Sequence, residues 1–238
     1  MDQFTRFGIY VVPEGAFYRI GAAWLGWDCV ARQKVTRPDW PELPGEDALV
    51  TAPRQYGFHG TIKPPFRLLN GTRPEQLAEA VAAFCGQQGP VSLPKLEVRR
   101  YGKVIAIVPT TPSAALVRLA ADTVRSLDRF RAPANMVDLA RRRKVGLTDW
   151  QEGYLRDWGF PYVMEEFRFH LTLTGPLGDK ADAVARGLAA RFRAHLPAPF
   201  IIDSLCLMGE GADRRFHMIH RYPLSGLRHT QDCGDAGL

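Results

Sequence analysis

Residues 56–66 read YGFHGTIKPPF, and residues 166–177 read EFRFHLTLTGPL. Both contain the order aromatic, His, any residue, Thr, aliphatic: Phe58-His59-Gly60-Thr61-Ile62 and Phe169-His170-Leu171-Thr172-Leu173. Apolar and polar positions alternate through each, which is the period of a half-buried strand. Strand side chains alternate between faces, so His59 and Thr61 point one way together, and so do His170 and Thr172. Phe58, Ile62, Phe169 and Leu173 then point the other way, into a core. Each motif is a polar wall on an apolar back.

Outward from these strands, Phe4–Val12 (FTRFGIYVV) reads as a first strand closed by Pro13, and Glu14–Trp27 as a helix with Phe17, Ile20, Trp24 and Trp27 near helical spacing. Residues 37–46 carry three prolines and read as a loop. Pro74–Gln88 is an amphipathic helix burying Leu77, Ala80, Val81 and Phe84. Strands Leu93–Arg100 and Lys103–Pro109 flank Tyr101-Gly102, which suits a tight hairpin turn. Pro112–Phe130 is a second long helix, and residues 134–159 are helical but more polar. Glu166–Thr174 reads as a strong strand and Lys180–His195 as a helix, with strands Phe200–Met208 and Arg215–Tyr222 closing the fold. Ser225–Leu238 is Gly-rich and polar and reads as a disordered tail. Each half runs motif strand, helix, strand pair. That order predicts an α+β architecture with two antiparallel sheets and helices on their outer faces.

The 238 residues are 46% hydrophobic and 24% charged, an ordinary globular composition that buries a core without disulfides or a structural metal. The net charge of +6 suits an anionic ligand without choosing among RNA, a small phosphate ester and a membrane surface. Cys29, Cys85, Cys206 and Cys233 show no metal-type spacing and read as reduced thiols of a cytoplasmic protein. The N-terminus lacks the apolar core of a signal peptide, and no apolar run reaches the roughly 20 residues of a membrane helix.

Six histidines and twelve threonines would give roughly 0.3 His-x-Thr matches by chance, so two are notable. Their position in strand-like runs, each after Phe, adds to the signal. The residue types fit phosphodiester cleavage. An imidazole titrates near pH 6.5, so one His can act as base while the other acts as acid. The Thr hydroxyls would donate hydrogen bonds to phosphate oxygens where charge develops. Alternation puts Lys63 and Arg168 on the same face, where either could neutralise phosphate, although a solvated surface role explains each as well. Thr174 shares that face but lies further along. His217 and His220 are three apart on a strand and point to opposite faces, which argues against a metal pair. Arg141–Lys144 (RRRK) could grip nucleic acid or a phosphate, but a solvated helix end is the preferred reading. Tyr154, Trp158 and Tyr162 could stack on a base but read rather as packing between helix and strand; Tyr18 and Tyr56 are candidates to reach the cleft.

The paired strings FHGT and FHLT resemble the motifs of the 2H phosphoesterase superfamily, which includes bacterial RNA 2′,3′-cyclic phosphodiesterases. The longer strings resemble one branch, encoded within phosphonate-utilisation (carbon–phosphorus lyase) operons, as do RFGIYVVP near the start and RFHMIHRYPL near the end. Gly60 departs from that branch, which more often has Ala. The resemblance implies a bilobal fold over residues 1–224 with a pseudo-two-fold axis and the motifs facing across a cleft. It implies catalysis by His59 and His170, with Thr61 and Thr172 binding phosphate, without metal or cofactor. A phosphorylated sugar carrying a cyclic phosphate is the substrate the operon implies; the rivals are RNA 2′,3′-cyclic ends, and a non-catalytic phosphate- or nucleotide-binding module. No HxHxDH or HExxH spacing supports a metal-dependent hydrolase. Neither a membrane partner nor an oligomeric state is indicated.

Overall fold

A computed structural model describes residues 4–43, 46–144 and 146–226. The strands are β1 (Phe7–Val11), β2 (Trp27–Asp28), β3 (Gln33–Lys34), β4 (Gly60–Phe66), β5 (Val91–Leu93), β6 (Leu96–Tyr101), β7 (Val104–Pro109), β8 (Leu171–Thr172), β9 (Phe200–Ile202), β10 (Ser204–Glu210) and β11 (Phe216–Pro223). The helices are α1 (Gly15–Leu25), α2 (Glu46–Arg54), α3 (Pro74–Cys85), α4 (Ala114–Leu127), α5 (Met136–Arg143), α6 (Asp149–Trp158) and α7 (Ala181–Phe192).

The architecture is α+β with antiparallel strands, as the element order implies. Four strands, β11-β10-β1-β4, and three, β8-β7-β6, form the two halves of one sheet. They are joined by a single pairing, Gly60 against Leu171. Helices α3 and α4 lie against the first half, and α7 against the second. Helix α1 is tied to the second half by Trp24, whose indole N–H donates to the Leu173 carbonyl at 2.8 Å. Trp24 also stacks on Trp40, 5.1 Å between centroids, which in turn meets Phe192 of α7.

Local chemistry explains the element ends. Ser113, Asn135 and Thr148 each accept a backbone N–H of the first turn and so cap α4, α5 and α6. Gly26 and Gly159 close α1 and α6 in the left-handed conformation that glycine adopts without cost. The β6–β7 hairpin turns at Gly102, also at positive φ. The small pair β2–β3 was not legible in the sequence, since strands of two residues leave no periodic signal; the expected strand Phe200–Met208 is divided at Asp203 into β9, which pairs with β5, and β10. Helix α2 was missed because Pro53 sits inside it.

The second motif strand departs most from expectation. The ladder at Glu166–Thr174 shrinks to Leu171–Thr172, preceded by a 3₁₀ turn at Met164–Glu166. Both Leu173 and Thr174 donate their N–H to the Ile105 carbonyl, so regular pairing stops there. Cys29, Cys85 and Cys206 are buried free thiols. Cys233 and the tail beyond residue 226 lie outside the described residues. No helix among the described residues is long and apolar enough to cross a membrane.

Candidate active site

The Gly60–Leu171 pairing brings the two motifs side by side. Continued one residue each way, that antiparallel register sets Thr61 opposite His170 and His59 opposite Thr172. Burial follows the alternation: Phe58, Ile62, Phe169, Leu171 and Leu173 are buried, while His59, Thr61, His170 and Thr172 are partly open. The four polar residues therefore share a face. Two adjoining cavities lie over it, sharing Tyr56, Thr61 and Pro65. One of about 270 Å³ holds His59, Thr61 and Thr172, and the other, of about 440 Å³, holds Thr61, Arg168 and His170.

The two imidazoles are held alike. His59 Nδ1 lies 3.0 Å from the Gly57 carbonyl, and His170 Nδ1 lies 2.8 Å from the Arg168 carbonyl. A carbonyl only accepts, so Nδ1 carries the proton in both rings and Nε2 keeps its lone pair in the neutral form. His59 Nε2 is 3.0 Å from the Thr61 hydroxyl, which can donate to it. Each ring also lies on a tyrosine: His59 on Tyr10 at 3.9 Å between centroids, His170 on Tyr101 at 4.7 Å. Burial draws the His59 pKa down to about 4, the Gly57 carbonyl opposes this, and the charge of His170 adds to it. Burial also lowers His170, against the pull of the Arg168 carbonyl.

Glycine is required twice here. Gly57 has φ of +76° and presents the carbonyl that holds His59, and a Cβ there would sit 2.8 Å from Cys29 Sγ. At Gly60 a Cβ would meet the Phe169 ring at 2.3 Å. Gly60 is therefore more than a loosened strand position: the absent side chain makes room for the aromatic residue that precedes His170.

Lys63 corrects the expectation that it shares the motif face. It is buried, with Nζ donating to Asp128 Oδ1 at 2.9 Å, and it lines neither motif cavity. The cause is a register shift between β1 and β4 around Ile9 and Tyr10, which breaks the alternation after Thr61. Thr174, by contrast, does border the His59 cavity, but its side chain is buried, its hydroxyl accepting from the Ile105 N–H and donating to the Gly175 carbonyl. Arg168 does reach the cavity beside His170, and its guanidinium donates to the Glu165 and Phe167 carbonyls. His217 pairs with Asp213 and His220 packs on Tyr222. Among the described residues no group of three or more His, Cys, Asp or Glu could hold a metal.

Sequence reasoning missed Tyr10 and Tyr101, because a tyrosine within an apolar strand gives no sign of what it faces. Tyr56 lines both cavities, whereas Tyr18 is buried and donates to Asp28. Tyr154 and Trp158 pack on a small cluster around Val124 and Met164, but Tyr162 is 43% exposed and lines the His170 cavity. The RRRK run is not a uniformly solvated helix end. Arg143 pairs outward with Glu152, but Arg141 and Arg142 line a third cavity that meets the first two at Pro65.

A ribose 1,5-bisphosphate phosphokinase PhnN from Janthinobacterium sp. (strain Marseille) is 33% identical over 237 residues, covering 94% of this chain and 52% of that protein. One from Laribacter hongkongensis (strain HLHK9) is 30% identical over 210 residues, covering 86% and 48%. The chain thus spans about half the length of these curated relatives. Among solved structures, E. coli LigT complexed with NADP+ aligns with a TM-score of 0.48 at 12% identity, over 94% of this chain and 99% of that one. TT0787 of Thermus thermophilus aligns with a TM-score of 0.46 at 12% identity, over 93% and 98%. Residues 61–217 match the family described as "Protein of unknown function (DUF1045)". As that match runs from Thr61 through the second motif and spans well over half of the chain, the protein belongs to the DUF1045 family.

Proposed function

We propose that this protein is a metal-independent phosphodiesterase of the 2H type, which opens a cyclic phosphate on a sugar during phosphonate metabolism. Residues 1–224 are read as one such domain. The observation that carries the proposal is the matched setting of the two imidazoles. Each has Nδ1–H fixed on a backbone carbonyl two residues back, a tyrosine against its ring, and Nε2 left as the acceptor nitrogen beside a cavity with a threonine; in His59 that nitrogen takes the Thr61 hydroxyl at 3.0 Å. In both rings the fixed tautomer makes Nε2 the nitrogen that can take up a proton.

His59 is assigned as base, since burial and His170 keep it neutral down to about pH 4. Its Nε2 takes a proton from water as the water oxygen bonds to phosphorus. The P–O bond to the sugar breaks, and His170 Nε2 delivers its proton to the leaving alkoxide. The negative charge of the bound diester favours the protonated form of His170 that burial alone disfavours. With substrate bound, Thr61 turns its hydroxyl proton from His59 Nε2 to a non-bridging oxygen, which frees that nitrogen for the water; Thr172 donates to the non-bridging oxygens as well, and Arg168 balances charge beside His170.

The relatives' name, a kinase of ribose 1,5-bisphosphate, supports a phosphorylated sugar as the substrate class. The reaction in that name is not carried over: this chain has no G-x-x-x-x-G-K-S/T run, and its site is built on histidines. One observation favours a second reading. Tyr56, Tyr101, Phe160 and Tyr162 wall the His170 cavity and would suit a stacked base, hence a 2′,3′-cyclic nucleotide or RNA end.

The test is hydrolysis of ribose 1,2-cyclic phosphate 5-phosphate and of a 2′,3′-cyclic nucleotide side by side, with EDTA present. We expect cleavage of the sugar substrate and a loss of at least about a hundredfold in His59→Ala and in His170→Ala. Preferential cleavage of the nucleotide selects the second reading. No cleavage of either by the wild type, with phosphate ligands still bound by both variants, would make this a binding module.

A further inference from the structure

The cavity that meets the motif cleft at Pro65 has a volume of about 200 Å³, and five arginines line it: Arg6, Arg67, Arg131, Arg141 and Arg142. Three carboxylates partner them. Glu210 binds Arg6 through both oxygens, Asp128 binds Arg131 through both, and Asp138 is shared by Arg67 and Arg141. Five guanidinium groups against three carboxylates leave a net positive cavity. Arg142 is the one left over. Among the described residues no carboxylate pairs with it, its Nε is buried without a hydrogen-bond partner, and its guanidinium lies over the Phe160 ring at 4.5 Å. Burial works first against its charge, and Arg141 adds to that. Asp138 opposes these effects from nearby without pairing with it, so a partly buried cation with an unmet Nε donor beside other cations remains, which an anion would relieve.

The cavity is connected to the chemistry. Pro65 borders all three cavities, and Phe160, under the Arg142 guanidinium, walls the one that holds His170. Arg6 and Arg142 both lie close enough to Tyr56, which lines both motif cavities, to interact with it electrostatically.

We infer that this arginine cavity binds a phosphomonoester carried by the substrate, at the end away from the phosphodiester that is cut, with Arg142 as its principal contact. The inference rests on the proposed phosphodiesterase reading and adds the feature that selects the substrate. A monoester is favoured over the internal phosphate of a longer RNA because it carries nearly two charges, matching the uncompensated guanidinium groups, and because the cavity, at about 200 Å³, is small.

Three cyclic substrates test it: ribose 1,2-cyclic phosphate with the 5-phosphate, the same sugar without it, and a dinucleotide ending in a 2′,3′-cyclic phosphate. The wild type should prefer the phosphorylated sugar to the bare one by at least about thirtyfold in kcat/KM. Arg142→Ala should cut that preference at least tenfold, mainly through KM; Arg142→Gln, which keeps bulk and hydrogen bonding, provides a second variant, with thermal melts showing that each is folded. Equal rates on the two sugars, an unchanged preference in both variants, or the dinucleotide as best substrate would overturn the inference. If the wild type cleaves nothing, the catalytic reading has failed, and calorimetric titration of ribose 5-phosphate decides this one separately. Saturable binding weakened at least tenfold by Arg142→Ala supports the arginine site; no binding, or equal binding, rejects it.

Discussion

His59 and His170 are alike in geometry and differ in how far their surroundings disfavour charge. His59 is held to about pKa 4, and His170 is lowered from 6.5 without being pressed as far by a neighbouring charge. If His59 must be neutral and His170 protonated in the free enzyme, kcat/KM is bell-shaped. Its rising limb should fall near pH 4 and its falling limb below pH 6.5, so the optimum is acidic. A profile that climbs through pH 7 to a plateau would reverse or refute the acid and base roles. The tyrosines beneath the rings belong to the same scale. Tyr10 is fully buried, its hydroxyl has no hydrogen-bond partner, and burial raises its pKa far above the usual value, so it serves as an apolar shelf for His59 and not as a proton donor.

At the scale of elements, β4 and β8 meet through one pairing, and Gly60 is half of it. Gly60→Ala would drive a methyl group into the Phe169 ring, and overpacking of this kind typically costs about 1–3 kcal/mol. A lowered melting temperature is expected, together with reduced activity because Phe169 adjoins His170; adding Phe169→Leu should recover much of both. An unchanged melt would show that the ring moves freely and that Gly60 is incidental. The junction of β4 with the end of α4 depends on Lys63 and Asp128. Burial works against ionisation of Asp128, but hydrogen bonds from Arg131 and Lys63 outweigh it and hold the carboxyl below its ordinary range. Asp128→Ala strands a buried ammonium, and removing one partner of such a pair costs about 3–5 kcal/mol. Urea denaturation of this variant should show that loss, whereas a change below about 1 kcal/mol would mean that water reaches Lys63 Nζ.

For the whole molecule, the depressed histidines make stability depend on pH with a defined sign. Between about pH 6.5 and 4 the unfolded chain binds protons that folded His59 refuses, so unfolding takes up protons and stability falls as pH drops through that window. Thermal melts of the ligand-free protein should show this fall, and His59→Asn should flatten it; an equal slope in the variant would place the acid sensitivity elsewhere. The amino-acid order by itself determined the α+β class, most of the long helices, the β6–β7 hairpin, and the motif residues His59, Thr61, His170 and Thr172. These follow from local alternation, helical spacing and turn chemistry. The register was decided only by tertiary structure. One pairing places each histidine opposite the other motif's threonine, and a shift between β1 and β4 turns Lys63 inward to Asp128. The arginine cavity was legible along the chain only in its Arg141-Arg142 part, within the RRRK run, because Arg6, Arg67 and Arg131 come from distant segments. Which of them is compensated depends on carboxylates that folding delivers, so charge counted along a sequence could not reveal that Arg142 is left unpaired.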